Sequence, residues 1–146
     1  MDSSIWVSLV LRDASREVQI MKILAGYDRL ATSELSQVEI SSGIHAQTGN
    51  DVERATLAYQ NLNRLMTTID FFSINSAVIQ EAMRLVRDHR VSVGLRSLDA
   101  IHVATAIRIL NPYVTRGSLE MEYLTADQRQ HDAFSREGFI GNCLAH

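Results

Sequence analysis

The run Ser97-Leu98-Asp99-Ala100-Ile101-His102-Val103-Ala104-Thr105-Ala106 carries one carboxylate into an almost wholly apolar segment. A charge set among Ala100, Val103, Ala104 and Ala106 needs a partner, because an uncompensated buried carboxylate is costly. Three other acids stand where a strand or loop hands over to a helix: Asp2, Glu39 and Asp127. In an open parallel sheet such junctions share one edge, at the carboxyl ends of the strands, where active sites gather. Several carboxylates at a few Å cannot all stay ionised without a cation, since like charges raise one another's pKa. An all-oxygen set suits Mg2+ or Mn2+ better than zinc.

Each acid also has a purely structural account. Ser36-Gln37-Val38-Glu39 is a capping-box pattern, in which Glu39 would reach back to the cap residue's amide. Asp99 in a first helical turn gains from the helix dipole, and Asp127 suits an N-cap. Asp2, near a chain end, says nothing alone. His102 and His131, one turn beyond Asp99 and Asp127, read more readily as packed or hydrogen-bonded histidines than as ligands, His131 in a pair with Asp127 that steadies its own first helical turn.

The elements that must position these residues follow from apolar spacing. Residues 5–11 and 14–24 are expected helical, with Asp13 a cap between them, then a strand over 29–32 and a helix over 37–47 ending near Gly49. Asp51 opens a longer helix whose stripe is Ala55, Leu62, Leu65, Met66 and Ile69. A strand over 71–74 precedes an amphipathic helix over 76–87 with Val78, Ala82, Leu85 and Val86 inward, and Gly94 breaks the pattern. The helix from Ser97 is expected to stop at Leu110, because Asn111 precedes the only proline, Pro112. A strand over 120–125, a helix over 128–136 and a strand over 139–144 complete the chain. Alternating strands and helices imply an α/β fold, a mostly parallel sheet with helices on both faces.

At 146 residues the chain reads as a single domain over 1–146, without linker or repeat. Cys143 is the one cysteine, which rules out an internal disulfide and fits a reducing cytoplasm. No signal peptide or membrane span is legible. A net charge of −3 argues against a protein that coats nucleic acid through a broad basic surface, though local contacts remain open. All but one of the fourteen basic residues are Arg, Lys22 being the exception; Arg12, Arg96 and Arg116 are candidate phosphate contacts, with Arg96 best placed, three residues from Asp99.

Taken in order, four segments resemble the motifs of PIN-domain ribonucleases, above all the VapC-type toxins. Asp2-Ser3-Ser4 looks like the first, Ala31-Thr32-Ser33 leading to Val38-Glu39-Ile40 the second, Leu95 to Ala106 the third and Leu124-Thr125-Ala126-Asp127 the fourth. The resemblance implies that Asp2, Glu39, Asp99 and Asp127 hold one or two Mg2+ or Mn2+ ions, that Ser4 and Thr125 support them, and that RNA is cleaved by activated water in line. It also implies a homodimer and a small VapB-like antitoxin that masks the site. A non-catalytic PIN-like binding module and a metal-dependent DNase or phosphoesterase are the alternatives. In one respect the chain departs from the pattern. The family's first Asp ends a central apolar strand, yet only Met1 precedes Asp2 here. The neighbouring strands would then close up, stand roughly 9 to 10 Å apart, or take in another chain, unless the natural protein starts earlier, the reading favoured here. Asp2 is expected to be poorly held.

Overall fold

The structure, a computed structural model, describes residues 1–12, 14–114 and 122–144. The cap expected at Asp13 and the contact expected from Arg116 lie outside these residues. Four short strands, β1 (Leu30–Ser33), β2 (Ile69–Phe72), β3 (Tyr123–Thr125) and β4 (Gly141–Cys143), form two parallel pairs. In the first, Leu30 to Ser33 run beside Ile69 to Phe72; in the second, Tyr123 to Thr125 run beside Gly141 to Cys143. Among the described residues no strand stands between the pairs, and the first two residues link them. Met1 donates its amino N–H to Ala31 O (2.9 Å) and accepts the Thr32 hydroxyl (2.7 Å), while Asp2 N donates to Leu124 O (3.1 Å). The pairs therefore do not close up on one another; Met1 and Asp2 bridge them at one end.

Seven helices surround this sheet among the described residues: α1 (Ser3–Val10), α2 (Ala14–Leu24), α3 (Leu35–Thr48), α4 (Val52–Met66), α5 (Ser76–Val93), α6 (Ser97–Val114) and α7 (Gln128–Arg136). They bury two cores. One joins Ile5, Trp6, Ile20, Ile40, Ile44 and Leu62 of the first four helices with Leu124 of β3. The other joins Leu85, Ala100, Val103, Ala104 and Phe134 of the last three with Tyr123. Successive residues of a strand point to opposite faces, so β3 feeds Tyr123 to one core and Leu124 to the other. A strand covered on both faces reads as continuous apolar sequence, which is how β3 looks. No described helix is long and apolar enough to cross a membrane.

Several expected boundaries move. Strand β2 begins at Ile69 rather than Phe71, because Ile69 is buried opposite Leu30 while the Ile74 amide is taken by Glu34 Oε1 (2.8 Å). Helix α5 continues past Arg87 to Val93, where Gly94 caps it in the left-handed region at φ 70°. Helix α6 does not stop at Leu110 but runs to Val114 with Pro112 inside it. Pro112 gives up one helical hydrogen bond as it would in mid-helix, but only two helical residues follow it, so a kink there displaces little of the chain. Strand β4 is confined to three residues, and Cys143 lies on it, half-buried and free.

A buried charge cluster fastens α7 to α5. Glu137, just past the end of α7, accepts from Arg84 Nη2 at 2.5 Å and stands 2.6 Å from His89 Nε2. Burial pushes the Glu137 carboxyl up, but hydrogen bonds from Arg84 and His89 outweigh it and leave the group below its ordinary value. A depressed carboxylate stabilises the fold above its unfolded pKa and loses that contribution as pH falls through the folded one. Replacing Glu137 with Gln should therefore cost about 1 to 2 kcal/mol at pH 7, a figure reduced for the partial exposure of Arg84. The gap to the parent should shrink below about pH 4, which urea unfolding at the two pH values would show.

Candidate metal centre

Asp2 is the N-cap of α1 and is 1% exposed. Its Oδ1 accepts from Ser4 N (2.8 Å), Ser4 Oγ (2.5 Å) and Ile5 N (3.4 Å), and its Oδ2 accepts from the Thr125 hydroxyl. The expectation of a poorly held Asp2 is thus wrong. A helix start needs a cap acceptor, and β3 supplies a second donor from across the molecule. The two hydroxyls also bind onward. Ser4 Oγ accepts from Ala126 N (3.3 Å) and Thr125 Oγ1 from Asp127 N (2.9 Å), so Asp2 and Asp127 share one support.

Glu39 lies on α3, and the capping box expected of it does not form. The helix starts at Leu35, before Ser36 could cap it, and the Ser36 hydroxyl pairs with Thr32 Oγ1 at 2.7 Å. Glu39 instead turns toward α6, where Oε2 is 2.5 Å from Nε2 of the buried His102. Burial raises the Glu39 carboxyl, but hydrogen bonds from His102 and Ser3 and the His102 charge bring it below its usual range. The other ring nitrogen of His102, Nδ1, has no partner among the described residues. Facing a carboxylate oxygen, which only accepts, Nε2 donates to Glu39. Gly43 lets α3 approach α1 closely, since a Cβ there would stand 2.7 Å from Val7 Cγ2.

Asp99 lies in the first turn of α6, behind Ala100, Val103 and Ala104, all 0% exposed. Its Oδ2 accepts from Arg96 N (3.3 Å), the reciprocal bond of a helix start, and its Oδ1 accepts from Gln130 Nε2 (3.3 Å). Burial and the Asp127 charge push its carboxyl above the ordinary value, against these donors and the Arg129 charge. Asp127 caps α7 and is gripped by Arg129, which donates from Nη2 (2.5 Å), Nε (3.1 Å) and its backbone N (2.8 Å). Those contacts, the guanidinium first, hold Asp127 below its usual range in spite of burial. His131 does not pair with Asp127, because Arg129 occupies that carboxylate; its Nε2 meets Gly141 O at 3.2 Å. Arg96 is exposed, as is Arg12, whose φ of 52° lies in the left-handed region.

The charges of all four acids reach Tyr123. Burial, and then the charges of Asp2, Asp99, Asp127 and Glu39, raise the pKa of the fully buried Tyr123 hydroxyl well above its ordinary value. Yet among the described residues no three carboxylates or histidines stand close enough to share one ion. Like charges are most stable apart, and each acid is turned to a nearby donor: Asp2 to Ser4 and Thr125, Glu39 to His102, Asp127 to Arg129. The donor chemistry fits a hard divalent ion. A cavity of about 480 Å³ beside α1 is lined by Ser3, Ser4, Ser8, Arg16 and Gln47. It presents hydroxyl, amide and guanidinium groups along α1, the helix that Asp2 caps.

Arg129 and Gln130 were not singled out from sequence. Gln130 was legible in principle, being a polar residue three and four positions before Ala133 and Phe134 on an otherwise inward face. No curated protein matches the chain. A family model for the PIN domain matches residues 1–132, and with the parallel strands, the flanking helices and the four acids in order, the chain belongs to the PIN-domain family, whose members are typically metal-dependent nucleases.

Proposed function

We propose that this protein is an endoribonuclease dependent on Mg2+ or Mn2+, and the toxin of a VapC-type toxin-antitoxin pair. The observation that carries the nuclease reading is the set of bonds tying three of the acids to β3: Asp2 and Asp127 share the Thr125 hydroxyl, and Asp99 is joined to Tyr123 through Gln130. Surplus negative charge at a half-buried site is what a divalent cation relieves. Asp99, Asp2, Glu39 and Asp127 would hold the ion, and when bound it supplies Lewis-acid activation of water and neutralises phosphate charge. The chain's own residues prepare that site. Ser4 and Thr125 fix Asp2, His102 holds Glu39 ionised by donating from Nε2, and Arg129 keeps Asp127 ionised until it is needed. The Ser3, Arg16 and Gln47 cavity would take up the RNA strand, with exposed Arg96, whose backbone N–H binds Asp99, as a phosphate contact. A single-domain homodimer whose site a small VapB-like antitoxin covers, in the cytoplasm, completes the proposal.

A second reading has an observation in its favour. Because each acid already has a partner, a non-catalytic PIN-like module would look the same. The two separate on incubation of the chain with single-stranded RNA and with DNA of the same sequence, in Mn2+ and in EDTA. Metal-dependent cleavage of RNA is expected. Cleavage of DNA in preference would replace the ribonuclease with a DNase, and a folded chain inert toward both would favour the binding module.

A further inference from the structure

Gln130 sits on α7 with Ala133 and Phe134 on the face turned into the core, and it is 5% exposed. A carboxamide buried there must satisfy its donors and its acceptor internally. Its Oε1 accepts the Tyr123 hydroxyl at 2.5 Å, and its Nε2 donates to Asp99 Oδ1 at 3.3 Å. We infer that Gln130, locked in one orientation by Tyr123, is a positioning residue that fixes the Asp99 carboxylate for a divalent cation.

The lock follows from hydrogen-bond inventory. An amide can be turned end for end, and a phenol can donate or accept. If the Tyr123 hydroxyl accepted, the Gln130 carbonyl would face the Asp99 carboxylate, lone pair against lone pair. With the hydroxyl donating, the amide N–H must face Asp99. An ionised carboxylate only accepts, so Asp99 on one side and the donating Tyr123 hydroxyl on the other hold the amide in that one orientation. Contrast Asp127, whose charge Arg129 offsets. Among the described residues Asp99 accepts hydrogen bonds from neutral N–H groups, those of Gln130 and the Arg96 backbone, which orient the carboxylate and leave its charge for a cation. Partners of this kind, one step back from the ion, typically carry about 10- to 100-fold in metal affinity.

The inference rests on the reading of Asp99 as a metal ligand, and its test is Mn2+ binding followed by electron paramagnetic resonance without RNA. Gln130→Met should weaken binding about 10- to 100-fold and Tyr123→Phe about 10-fold. The double variant should bind no more weakly than Gln130→Met, because the hydroxyl acts only through the amide. Tyr123→Phe keeps the ring that packs 4.7 Å from Phe134, so the fold survives in at least that variant. Parent-like binding by Tyr123→Phe, or losses that multiply in the double variant, would overturn the inference. If the parent binds no Mn2+, or Asp99→Asn binds as well as the parent, the metal reading itself falls and takes the inference with it. Binding that needs Asp99 but ignores Gln130 overturns the inference alone.

Discussion

Replacing Asp99 with Asn should lower Mn2+-dependent RNA cleavage by at least about 100-fold, the upper end of what an outer partner of the ion carries, because Asp99 is itself a proposed ligand. The same change should leave the fold no less stable at pH 7. Asparagine keeps one acceptor oxygen where Asp99 uses two, so one of the two 3.3 Å bonds, from Gln130 Nε2 or from Arg96 N, is given up, a modest loss at that length that the removal of a disfavoured charge offsets. What disappears is a charge that burial and Asp127 disfavour. The sign follows from the raised pKa. The folded state holds the Asp99 proton more tightly than the unfolded chain, so ionised Asp99 opposes folding at pH values above its ordinary pKa of about 3.9. The asparagine variant's advantage should vanish below about pH 3.5, where the carboxyl is protonated in both states. Cleavage of labelled RNA and thermal unfolding at the two pH values measure both halves. Activity retained in the variant would remove Asp99 from the site, and a large loss of stability would mean that its role is structural.

That split between activity and stability separates what the sequence displays from what it conceals. The burial behind Asp99 was legible because Ala100, Val103 and Ala104 leave the helix no polar face, and all three are fully buried. Apolar stripes likewise placed Val78, Ala82 and Leu85 of α5 inward. Local patterns misled where a distant partner competed. Ser36 and Glu39 have the spacing of a capping box, but Thr32 takes the hydroxyl and His102 the carboxylate, and neither competitor is visible within a turn of Glu39. Pro112 was expected to end α6, yet two more helical residues follow it, where a kink displaces little of the chain. The grip of Arg129 on Asp127 and the Tyr123–Gln130–Asp99 chain depend on side chains from β3, α6 and α7 meeting, which no single periodicity encodes. Asp2 is the sharpest case. With no strand before it, sequence reasoning expected a loose residue, whereas backbone bonds to Leu124 and hydroxyls from α1 and β3 anchor it.

Because of that anchoring, Asp2→Ala should damage the fold as well as the chemistry. The carboxylate caps α1, accepts from Ser4 and Thr125, and lies between the two strand pairs. Losing a cap costs about 0.5 to 2 kcal/mol. A buried hydroxyl left without its acceptor costs about 1 to 3 kcal/mol, and Thr125, at 0% exposure, has no water to turn to. Ser4 is less buried and recovers part of its loss from solvent, so a total of about 2 to 4 kcal/mol is expected in chemical unfolding. Asp2→Asn separates the two roles. Its carbonyl can still cap α1 and accept one hydroxyl, so stability should fall by only about 1 kcal/mol. Metal-dependent cleavage should nevertheless drop about as far as in Asp99→Asn, since one of the four charges proposed to attract the ion is gone. If the asparagine variant unfolds as readily as the alanine variant, the charge itself holds the strand pairs together. If it cleaves like the parent, Asp2 is a cap and nothing more.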